Sequence, residues 1–417
     1  MKTVIATTLL FGSMASYAGQ VVLTEEQRLG ERLFNDKNLS LNRNQSCASC
    51  HSLKPARGKS RQTKLVPGFV DPDNVKNGTA VSKGSVDGLN GSLNAPSVAY
   101  AAYSPDFHFD DEEGLFIGGQ FWNGRAANLV EQAKGPFLNP VEMALPDVAE
   151  FINRLKQDSQ YQRLFDDVYQ IKLNELNDSS EEQAKVFEAA ATAISKFEQS
   201  PVFNKFNSKF DYVLNGQTEF TRLEAQGFEI FNGKANCAAC HISEATRDEN
   251  DNIIQPPLFT DFTYDNIGLP RNINIPGNPE PDTGLGGQLG LDEERGKHKV
   301  MSLRNIALTA PYGHNGSMAT LEQIVHFYNT RDTLGYVEDI NDPKFGKRGW
   351  PAPELEDDEI DTVNREELGN LGLAPYEEKA LVAFLKTLTD DYPIWGHDRR
   401  VPRGTPSPFM LPKISND

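Results

Sequence analysis

The residues with the clearest chemistry in this chain form two copies of one short pattern. Each copy reads Cys-x-x-Cys-His, and together they use every cysteine present: Cys47, Cys50 and His51 in the first, Cys237, Cys240 and His241 in the second. The spacing is typical of c-type haem attachment, in which two thiols bond to haem vinyl groups and the histidine ligates the iron. Disulfides or a zinc site are alternatives, but neither requires a histidine after each cysteine pair. We therefore predict two covalently bound haems.

The first residues of the chain have the features of an export signal. Lys2 precedes a mostly apolar run, and small residues lie just ahead of Gly19. Such a run is cleaved on export and is too short to span a bilayer. We expect residues 1–18 to be a signal peptide and the mature chain to be soluble, without a membrane span. We expect it to lie in the periplasm, where exported chains receive haem.

Composition narrows the classes of partner. The 417 residues carry a net charge of −18, which argues against nucleic acid or an anionic membrane as a partner. An acidic surface would suit a basic protein. Only 38% of the residues are hydrophobic, so we expect long loops around large cofactors. The length predicts two or three domains.

The segments that lead into the two haem motifs resemble each other. Residues 30–37 and 227–234 share the pattern Gly-x-x-aliphatic-Phe-Asn-x-Lys. An internal repeat at this position indicates a duplicated cytochrome c unit. We predict a mainly α fold with two c-type cytochrome domains, residues 19–217 and 218–417, the second with a carboxy-terminal extension. The Gly- and Pro-rich segments 52–120 and 243–300 are predicted to be ordered loops.

Four further helices are predicted from apolar spacing and end signals. A Ser-Pro step ends one of them, a capping-box pattern at Thr320 begins another, and Pro375 begins the last. Their predicted extents are 145–169, 179–200, 320–330 and 375–388.

Several blocks of sequence are shared with a known family. The chain resembles the bacterial di-haem cytochrome c peroxidase/MauG family at residues 93–98, 120–125, 132–136, 139–143 and 303–312. The resemblance covers most of the mature chain, and the blocks come in the family's order. It implies that one haem reacts with hydrogen peroxide while the other stores or relays an oxidising equivalent.

The resemblance assigns roles near the first haem. It implies that Glu142 and Gln132 line the peroxide pocket and that Pro136 packs over it. Cleavage of an O–O bond requires a proton to leave one oxygen and reach the other, and a positioned carboxylate can move it. On its own, the sequence around Glu142 would equally fit a solvated or helix-capping residue.

Two more roles follow from the resemblance. Trp122 matches the tryptophan between the haems, where an oxidisable indole would relay charge; otherwise it is a core aromatic. Asn94, Thr309 and Pro311 match a calcium site between the domains, which an amide and backbone carbonyls would provide. Without the family, Asn94 would be read as a turn residue.

The first haem departs from the ordinary members of the family. Those members have a histidine on the loop before Asn-x-Pro that closes the resting iron, whereas residues 52–107 contain no histidine. We expect the first iron to be open to peroxide. His108, in an extra acidic insert at 106–119, is the nearest histidine, but a loop histidine is more often solvated.

The second haem departs as well. Ordinary members have a methionine ligand where this chain has Tyr328, and the MauG-like branch has tyrosine there. Ile324 shares a helix face with Tyr328, so the phenol can point inward. An anionic oxygen ligand stabilises oxidised iron. Met301, Met318 and His326 are the other candidate ligands, and Tyr328 also fits a core aromatic. His314 is predicted to be structural or hydrogen-bonding, and His298 and His397 to be solvated.

Three functions remain open at this point. The favoured one is a MauG-like enzyme, in which peroxide generates high-valent haem iron and a protein partner is oxidised at long range. The second is an ordinary peroxidase that reduces hydrogen peroxide with electrons from a small cytochrome c or copper protein. The third is a di-haem electron carrier without catalysis. We expect a monomer or homodimer.

Overall fold

The computed structural model describes residues 21–177, 179–355, 361–410 and 414. The predicted signal peptide at 1–18 lies outside these ranges. Within them the fold is mainly α, as predicted. The α-helices are α1 Glu25–Asn35, α2 Cys47–Cys50, α3 Arg61–Leu65, α4 Pro72–Asn77, α5 Leu129–Leu138, α6 Val148–Lys156, α7 Ser159–Tyr169, α8 Ser180–Glu198, α9 Lys209–Leu214, α10 Arg222–Asn232, α11 Gly284–Leu289, α12 Leu321–Thr330, α13 Pro375–Lys386 and α14 Tyr392–Trp395.

The strands are short and form two-stranded sheets between the long loops. They are β1 His108–Asp110, β2 Leu115–Ile117, β3 Thr246–Arg247, β4 Ile253–Gln255, β5 Tyr264–Asp265, β6 His298–Lys299, β7 Gly335–Tyr336 and β8 Gly349–Trp350. They pair in chain order, β1 with β2 and so on, and only β7–β8 is parallel. No helix in the described ranges is long and apolar enough to cross a membrane.

The predicted helices are present, with one difference. Helices α8, α12 and α13 match the predictions at 179–200, 320–330 and 375–388. The region predicted as one helix at 145–169 contains two, α6 and α7. The chain breaks between them because the Asp158 carboxylate accepts a hydrogen bond from the Gln160 amide and so begins a new helix.

The buried apolar side chains form two main clusters that follow the order of the chain. The first extends from Leu29 to Phe206 and the second from Phe210 to Leu388. We call residues 21–206 the amino-terminal half and residues 207–410 the carboxy-terminal half. Each half contains one Cys-x-x-Cys-His motif.

The repeated glycine of the sequence pattern marks the same helix contact in both halves. A Cβ atom at Gly30 of α1 would lie 1.9 Å from the Ala193 carbonyl oxygen of α8. At Gly227 of α10 it would lie 2.0 Å from the Ala380 carbonyl oxygen of α13. Only glycine allows this approach, so the pattern in each half is a consequence of helix packing just before the haem motif.

A buried polar cluster joins the two halves. Arg304 makes two hydrogen bonds to Asp211, of 3.0 and 2.9 Å, and its guanidinium lies 4.9 Å from the ring centre of Tyr100. The Tyr100 hydroxyl and the Asn305 amide both donate to Asp390. Since Tyr100 belongs to the amino-terminal half and its partners to the other, the cluster fixes one half against the other.

Candidate haem sites and the junction between them

The two Cys-x-x-Cys-His motifs have the same local geometry. The amide of His51 donates to the carbonyl of Cys47 over 2.8 Å, and that of His241 donates to Cys237 over 2.9 Å. All four cysteines are free thiols, so the disulfide alternative is not realised. Among the residues that the structure describes, no three His, Cys, Asp or Glu side chains are grouped to hold a metal ion. This disfavours the zinc alternative.

His241 is oriented as an iron ligand requires. Its Nδ1 lies 2.9 Å from the backbone oxygen of Phe259, so Nδ1 carries the proton and donates it. Nε2 is then left with a free lone pair. Burial lowers the pKa of His241, which keeps the ring neutral. A neutral imidazole held through its second nitrogen is the usual form of a metal-ligating histidine.

His51 has a related but less complete arrangement. Burial lowers the pKa of His51 to about 4, so its ring is also neutral. Its Nδ1 is buried near the backbone of Phe69 and Pro96 without a well-formed hydrogen bond. Phe69 follows His51 at the same separation as Phe259 follows His241, and both phenylalanines have a positive φ, 54° and 57°. The residues present therefore fit a haem ligand at both motifs.

A mostly apolar cavity of about 230 Å³ adjoins the second motif. Cys237, Cys240 and His241 line it, together with apolar side chains of α12 and α13. Tyr328 lines the same cavity. Burial, with further contributions from Asp265 and the two thiols, raises the pKa of its phenol. No hydrogen bond of the phenol is present among the described residues, so its oxygen is available to a ligand in the cavity.

Of the other candidate ligands of the second iron, one lines this cavity and two do not. Met301 lines the cavity, as Tyr328 does. Met318 is fully buried and does not line it. His326 bonds through Nδ1 to Glu378 on α13 at 2.8 Å and does not line it either. Tyr328 and Met301 thus remain.

Helix α5 carries two of the residues predicted at the first haem. Gln132 and Pro136 lie one turn apart on it and share a face, and both are half-buried. The helix begins at Asn128, whose side chain accepts a hydrogen bond from the Glu131 amide. Glu142 follows the helix, and its carbonyl accepts a 2.6 Å hydrogen bond from the Ser85 amide.

Glu142 is placed beside the first motif. Its charge raises the pKa of the Cys47 and Cys50 thiols, which requires proximity. Burial raises the pKa of the Glu142 carboxyl itself, while Arg125 and the Asn139 side chain oppose this effect. The arrangement gives a carboxyl group that can hold or release a proton closer to neutral pH than a solvated glutamate does.

Trp122 connects the halves. It belongs to the amino-terminal half, but its side chain lines the cavity of the second motif. The indole nitrogen donates to the Asn94 carbonyl at 2.8 Å, and the Trp122 carbonyl accepts from the Lys299 amide at 2.8 Å. The ring meets His314 edge-on at 6.3 Å. Trp122 is therefore held at the junction of the halves.

The residues predicted for calcium occupy two segments, one from each half. The Asn94 side-chain amide donates to the Ala80 carbonyl at 2.7 Å, and its side-chain oxygen has no hydrogen-bond donor among the described residues. The Thr309 hydroxyl donates to the Ile306 carbonyl at 3.1 Å. Asn94 also donates its backbone N–H to the His314 carbonyl across the junction.

The prediction that His298 is solvated is wrong. The side chain is buried, and its ring stacks on His314 at 3.6 Å with an angle of 7° between the planes. His298 Nε2 lies 3.0 Å from Asp282, and His314 Nε2 bonds to Glu354. His314 thus has the predicted hydrogen-bonding role. A histidine between two lysines, Lys297 and Lys299, gives no sign of such partners in the sequence.

Other outcomes concern the remaining histidines and one glutamate. His108 and His397 are exposed, as predicted for solvated histidines. Glu198 of α8 was not identified from the sequence. It is buried, its Oε2 has no hydrogen-bond partner, and burial raises its pKa to about 8. Its charge acts on the Cys47 thiol, which places it near the first motif.

Comparison with known proteins identifies the family. A family model of di-haem cytochrome c peroxidases matches residues 24–219. The chain is 38% identical over 370 residues to the methylamine utilization protein MauG of Paracoccus denitrificans, covering 87% of this chain and 88% of the relative. The chain belongs to the di-haem cytochrome c peroxidase and MauG family. It is also 29% identical over 391 residues to the cytochrome c551 peroxidase of Nitrosomonas europaea, covering 93% of this chain and 84% of the relative.

Solved structures of the family agree with the fold. The diheme peroxidase BthA of Burkholderia thailandensis matches with a TM-score of 0.72 and 28% identity, over 91% of this chain and 89% of that chain. A MauG-like protein associated with microbial copper homeostasis matches with a TM-score of 0.61 and 29% identity, over 92% and 93%. Family membership makes the chain a di-haem oxidoreductase of the peroxidase type with two haems.

Proposed function

We propose that this protein is a MauG-like enzyme that uses hydrogen peroxide to oxidise a protein partner at long range. The observation that supports this most is the position of Tyr328. Its phenol lies free in the cavity that also contains Cys237, Cys240 and His241. A phenolate ligand would stabilise the oxidised state of the second haem and make it a store of oxidising equivalents rather than an acceptor from an ordinary cytochrome.

The haems, when bound, supply the reaction with peroxide and the storage of its oxidising equivalents. The chain contributes attachment and orientation. Cys47 and Cys50 tether one haem and Cys237 and Cys240 the other, while the neutral rings of His51 and His241 offer Nε2 to the irons. Tyr328 would lose its phenol proton on binding, since a metal ion strongly favours the ionised form of its ligands.

Glu142 is the proposed proton carrier at the first haem. Peroxide cleavage requires a group that accepts a proton from one oxygen and returns it to the other, and a positioned carboxylate can do this. Burial raises the pKa of the Glu142 carboxyl, and the positive charge of Arg125 partly opposes this shift. Gln132 would offer its side-chain amide to the substrate, and Pro136 would limit the access of water.

Trp122 is the proposed relay between the halves. Its hydrogen bond to Asn94 fixes the indole at the wall of the second cavity. We further propose that Asn94, Thr309 and Pro311 bind calcium through a side-chain oxygen and backbone carbonyls, which would stabilise this junction. The two cytochrome domains, 19–217 and 218–417, the signal peptide and the periplasmic location complete the proposal.

Met301 favours the second candidate function. A thioether ligand on the second iron would raise its potential and suit electron uptake from a small cytochrome c or copper protein. Because Met301 lines the same cavity as Tyr328, the ordinary peroxidase is the alternative to be tested.

Low-temperature EPR of the ferric holoprotein distinguishes the two candidates. We expect one high-spin haem with an open position and one low-spin haem. Replacement Tyr328→Phe is expected to change only the low-spin signal, whereas the control Met301→Leu leaves both signals unchanged. If Met301→Leu alters the low-spin signal and Tyr328→Phe does not, the ordinary peroxidase is supported. Rapid peroxide turnover with a reduced cytochrome donor would also contradict the MauG-like assignment.

A further inference from the structure

The insert at 106–119 forms a hairpin with exposed apolar side chains, which we call the aromatic hairpin. Strands β1 and β2 pair with Phe109 opposite Phe116. Phe109 is 48% exposed and Leu115 is 42% exposed. Because side chains alternate along a strand, Phe109 and Phe116 share one face of the hairpin, and Leu115 lies on the other face with Asp110. The half-exposed Phe109 ring, backed by Phe116, is an apolar contact surface on a small projecting element.

Stacked rings connect this surface to the second haem site. The rings of Phe109 and Phe116 are 4.9 Å apart, those of Phe116 and Phe107 5.6 Å, and those of Phe107 and Tyr264 6.0 Å. Tyr264 is buried and belongs to β5, which pairs with β6. Asp265 of β5 and both residues of β6 line the cavity of the second motif. The hairpin therefore begins at the wall of that cavity.

The base of the hairpin is fixed to the carboxy-terminal half. The Tyr264 hydroxyl donates to the Gly118 carbonyl at 2.6 Å, and the Gly118 amide donates to Phe262 at 3.0 Å. The Lys299 ammonium donates to the Gly119 carbonyl. A partner bound to the hairpin would thus be held in a defined position relative to the second haem site.

The negative charge of the hairpin favours a basic partner. Its turn carries Asp110, Asp111, Glu112 and Glu113, and the Asp110 carboxylate accepts the Glu112 and Glu113 amides at 2.8 and 3.0 Å. These carboxylates place negative charge next to the Phe109 surface, which complements a protein whose apolar contact surface has a basic rim. A second copy of this chain, with its net charge of −18, would be repelled.

We propose that the aromatic hairpin is the docking element for a basic redox protein, whose apolar surface covers Phe109 on the face that it shares with Phe116. The partner's reactive group is thereby placed near the second haem site. This inference rests on the proposed function only in requiring a protein that exchanges electrons with that site. Whether peroxide acts at the first haem does not affect it.

A second acidic hairpin provides a matched control. Strands β3 and β4 flank a turn that contains Glu249 and Asp251, with Glu244 just before it and Ile254 51% exposed. Its residues, 246–255, do not line the second cavity and make no aromatic ring contact in the described chain. Like the aromatic hairpin, it offers three exposed carboxylates for substitution, and it differs in location.

The test measures binding of the holoprotein to a basic mitochondrial cytochrome c by calorimetry, at an ionic strength of about 0.01 M. The first variant carries Asp111→Asn, Glu112→Gln and Glu113→Gln. Its control carries Glu244→Gln, Glu249→Gln and Asp251→Asn, with the same change in net charge. We expect the first to weaken binding about 10-fold and the control less than about 2-fold.

The apolar contact is tested at physiological salt. Phe109→Ser, which we call the serine variant, is expected to weaken binding about 10-fold. Leu115→Ser, on the opposite face of the hairpin, and Ile254→Ser, on the second hairpin, are expected to have little effect. Equal losses in the two charge variants, wild-type binding by the serine variant, or no binding by the wild type would each overturn the proposal. So would a dimer in sedimentation that the serine variant loses, because the occupant would then be a second copy.

The haem absorption spectrum of each variant reports whether it folds as the wild type does. Its peroxide reactivity tests the proposed function independently of binding. We expect both to match the wild type. If the serine variant has a changed spectrum, it is replaced by the milder Phe109→Leu. Loss of peroxide reactivity in the wild type would refute the proposed function while leaving the binding comparison valid.

Discussion

The two halves of the molecule share a scaffold and differ in the side chains next to it. Gly30 and Gly227 make the same close helix contact, and each motif histidine is followed at equal separation by a phenylalanine with positive φ. Beside the first motif lie two carboxyl groups, Glu142 and Glu198. Beside the second lies the phenol of Tyr328.

In the proposed function, the two halves use a common scaffold for different purposes. The helix contact beside each motif is under the same steric constraint in both halves. The neighbouring side chains would determine what each haem does. Carboxyl groups suit proton transfer at the first site. A phenol suits ligation and storage of oxidising equivalents at the second.

The largest expected effect is at Glu142. Replacement Glu142→Gln removes the proton carrier, and we expect the reaction with peroxide to slow by about 10²- to 10⁴-fold in stopped-flow measurements. The carboxylate must be ionised to accept a proton, and burial raises its pKa. The wild-type rate should therefore rise with pH through a pKa above that of a solvated glutamate, and the variant should lose this rise.

The control for Glu142→Gln is Glu131→Gln, at an exposed carboxylate of α5 paired with Lys134. It should react as the wild type does. An unchanged rate and pH profile in Glu142→Gln would refute the proposed role of Glu142 as the proton carrier of the first half.

The equivalence of the two scaffolds can be tested at the paired glycines. Gly30→Ala and Gly227→Ala each place a methyl group against a carbonyl oxygen, and we expect each to lower the free energy of unfolding by about 3 kcal/mol. Denaturant titration of the holoprotein measures this. Gly91→Ala, where the nearest atom would lie at 3.7 Å, should have little effect. A large loss at only one of the paired glycines would show that the contacts are not equivalent.

Glu198 should make stability depend on pH in the first half. Burial raises its pKa to about 8, above the roughly 4.3 expected in the unfolded chain. Its contribution is thus fully present below about pH 4 and is lost as the pH rises towards 8. We expect Glu198→Gln to be more stable than the wild type at pH 8 by at least about 1 kcal/mol, and the difference to vanish below about pH 4.

Thermal unfolding across this pH range checks the Glu198 prediction. Glu188→Gln, on the same helix but exposed, is the matched control. If both substitutions change the pH profile alike, the effect is one of general charge rather than burial.

The smallest expected effect concerns the junction. Trp122→Phe keeps most of the packing but loses the hydrogen bond to Asn94, at a cost of about 1 kcal/mol in unfolding free energy. Electron equilibration between the haems, measured by partial reduction and flash photolysis, should become slower. Trp395→Phe loses a similar bond, to the Asp390 carbonyl, and should leave equilibration unchanged. Equal rates in Trp122→Phe and the wild type would exclude Trp122 as a relay.

Much of the fold was predictable from local patterns. Helices α8, α12 and α13 follow from apolar spacing and from their first residues, because those signals act within a few positions. The break between α6 and α7 was missed because Asp158 also fits a continuous helix. A motif and the family pointed to His241 and Tyr328, and both residues line the same cavity.

The buried polar groups were not predictable. His298 and Glu198 lie in stretches that read as solvated or as helix surface, yet both are buried. Their surroundings come from segments distant in sequence: His298 meets Asp282 and His314, and Glu198 lies near Cys47. Burial and pKa depend on those neighbours, which no local pattern encodes.

The sequence alone predicted two covalent haems, their attachment sites and the helix that precedes each motif. Thiol chemistry and helix periodicity are local properties, so adjacent residues suffice to specify them. Only the tertiary structure decided that Trp122 reaches from one half to the cavity of the other, and that the 106–119 insert projects beside that cavity. Both depend on how the halves pack together through Arg304, Tyr100 and Asp390, and packing is set by the whole chain.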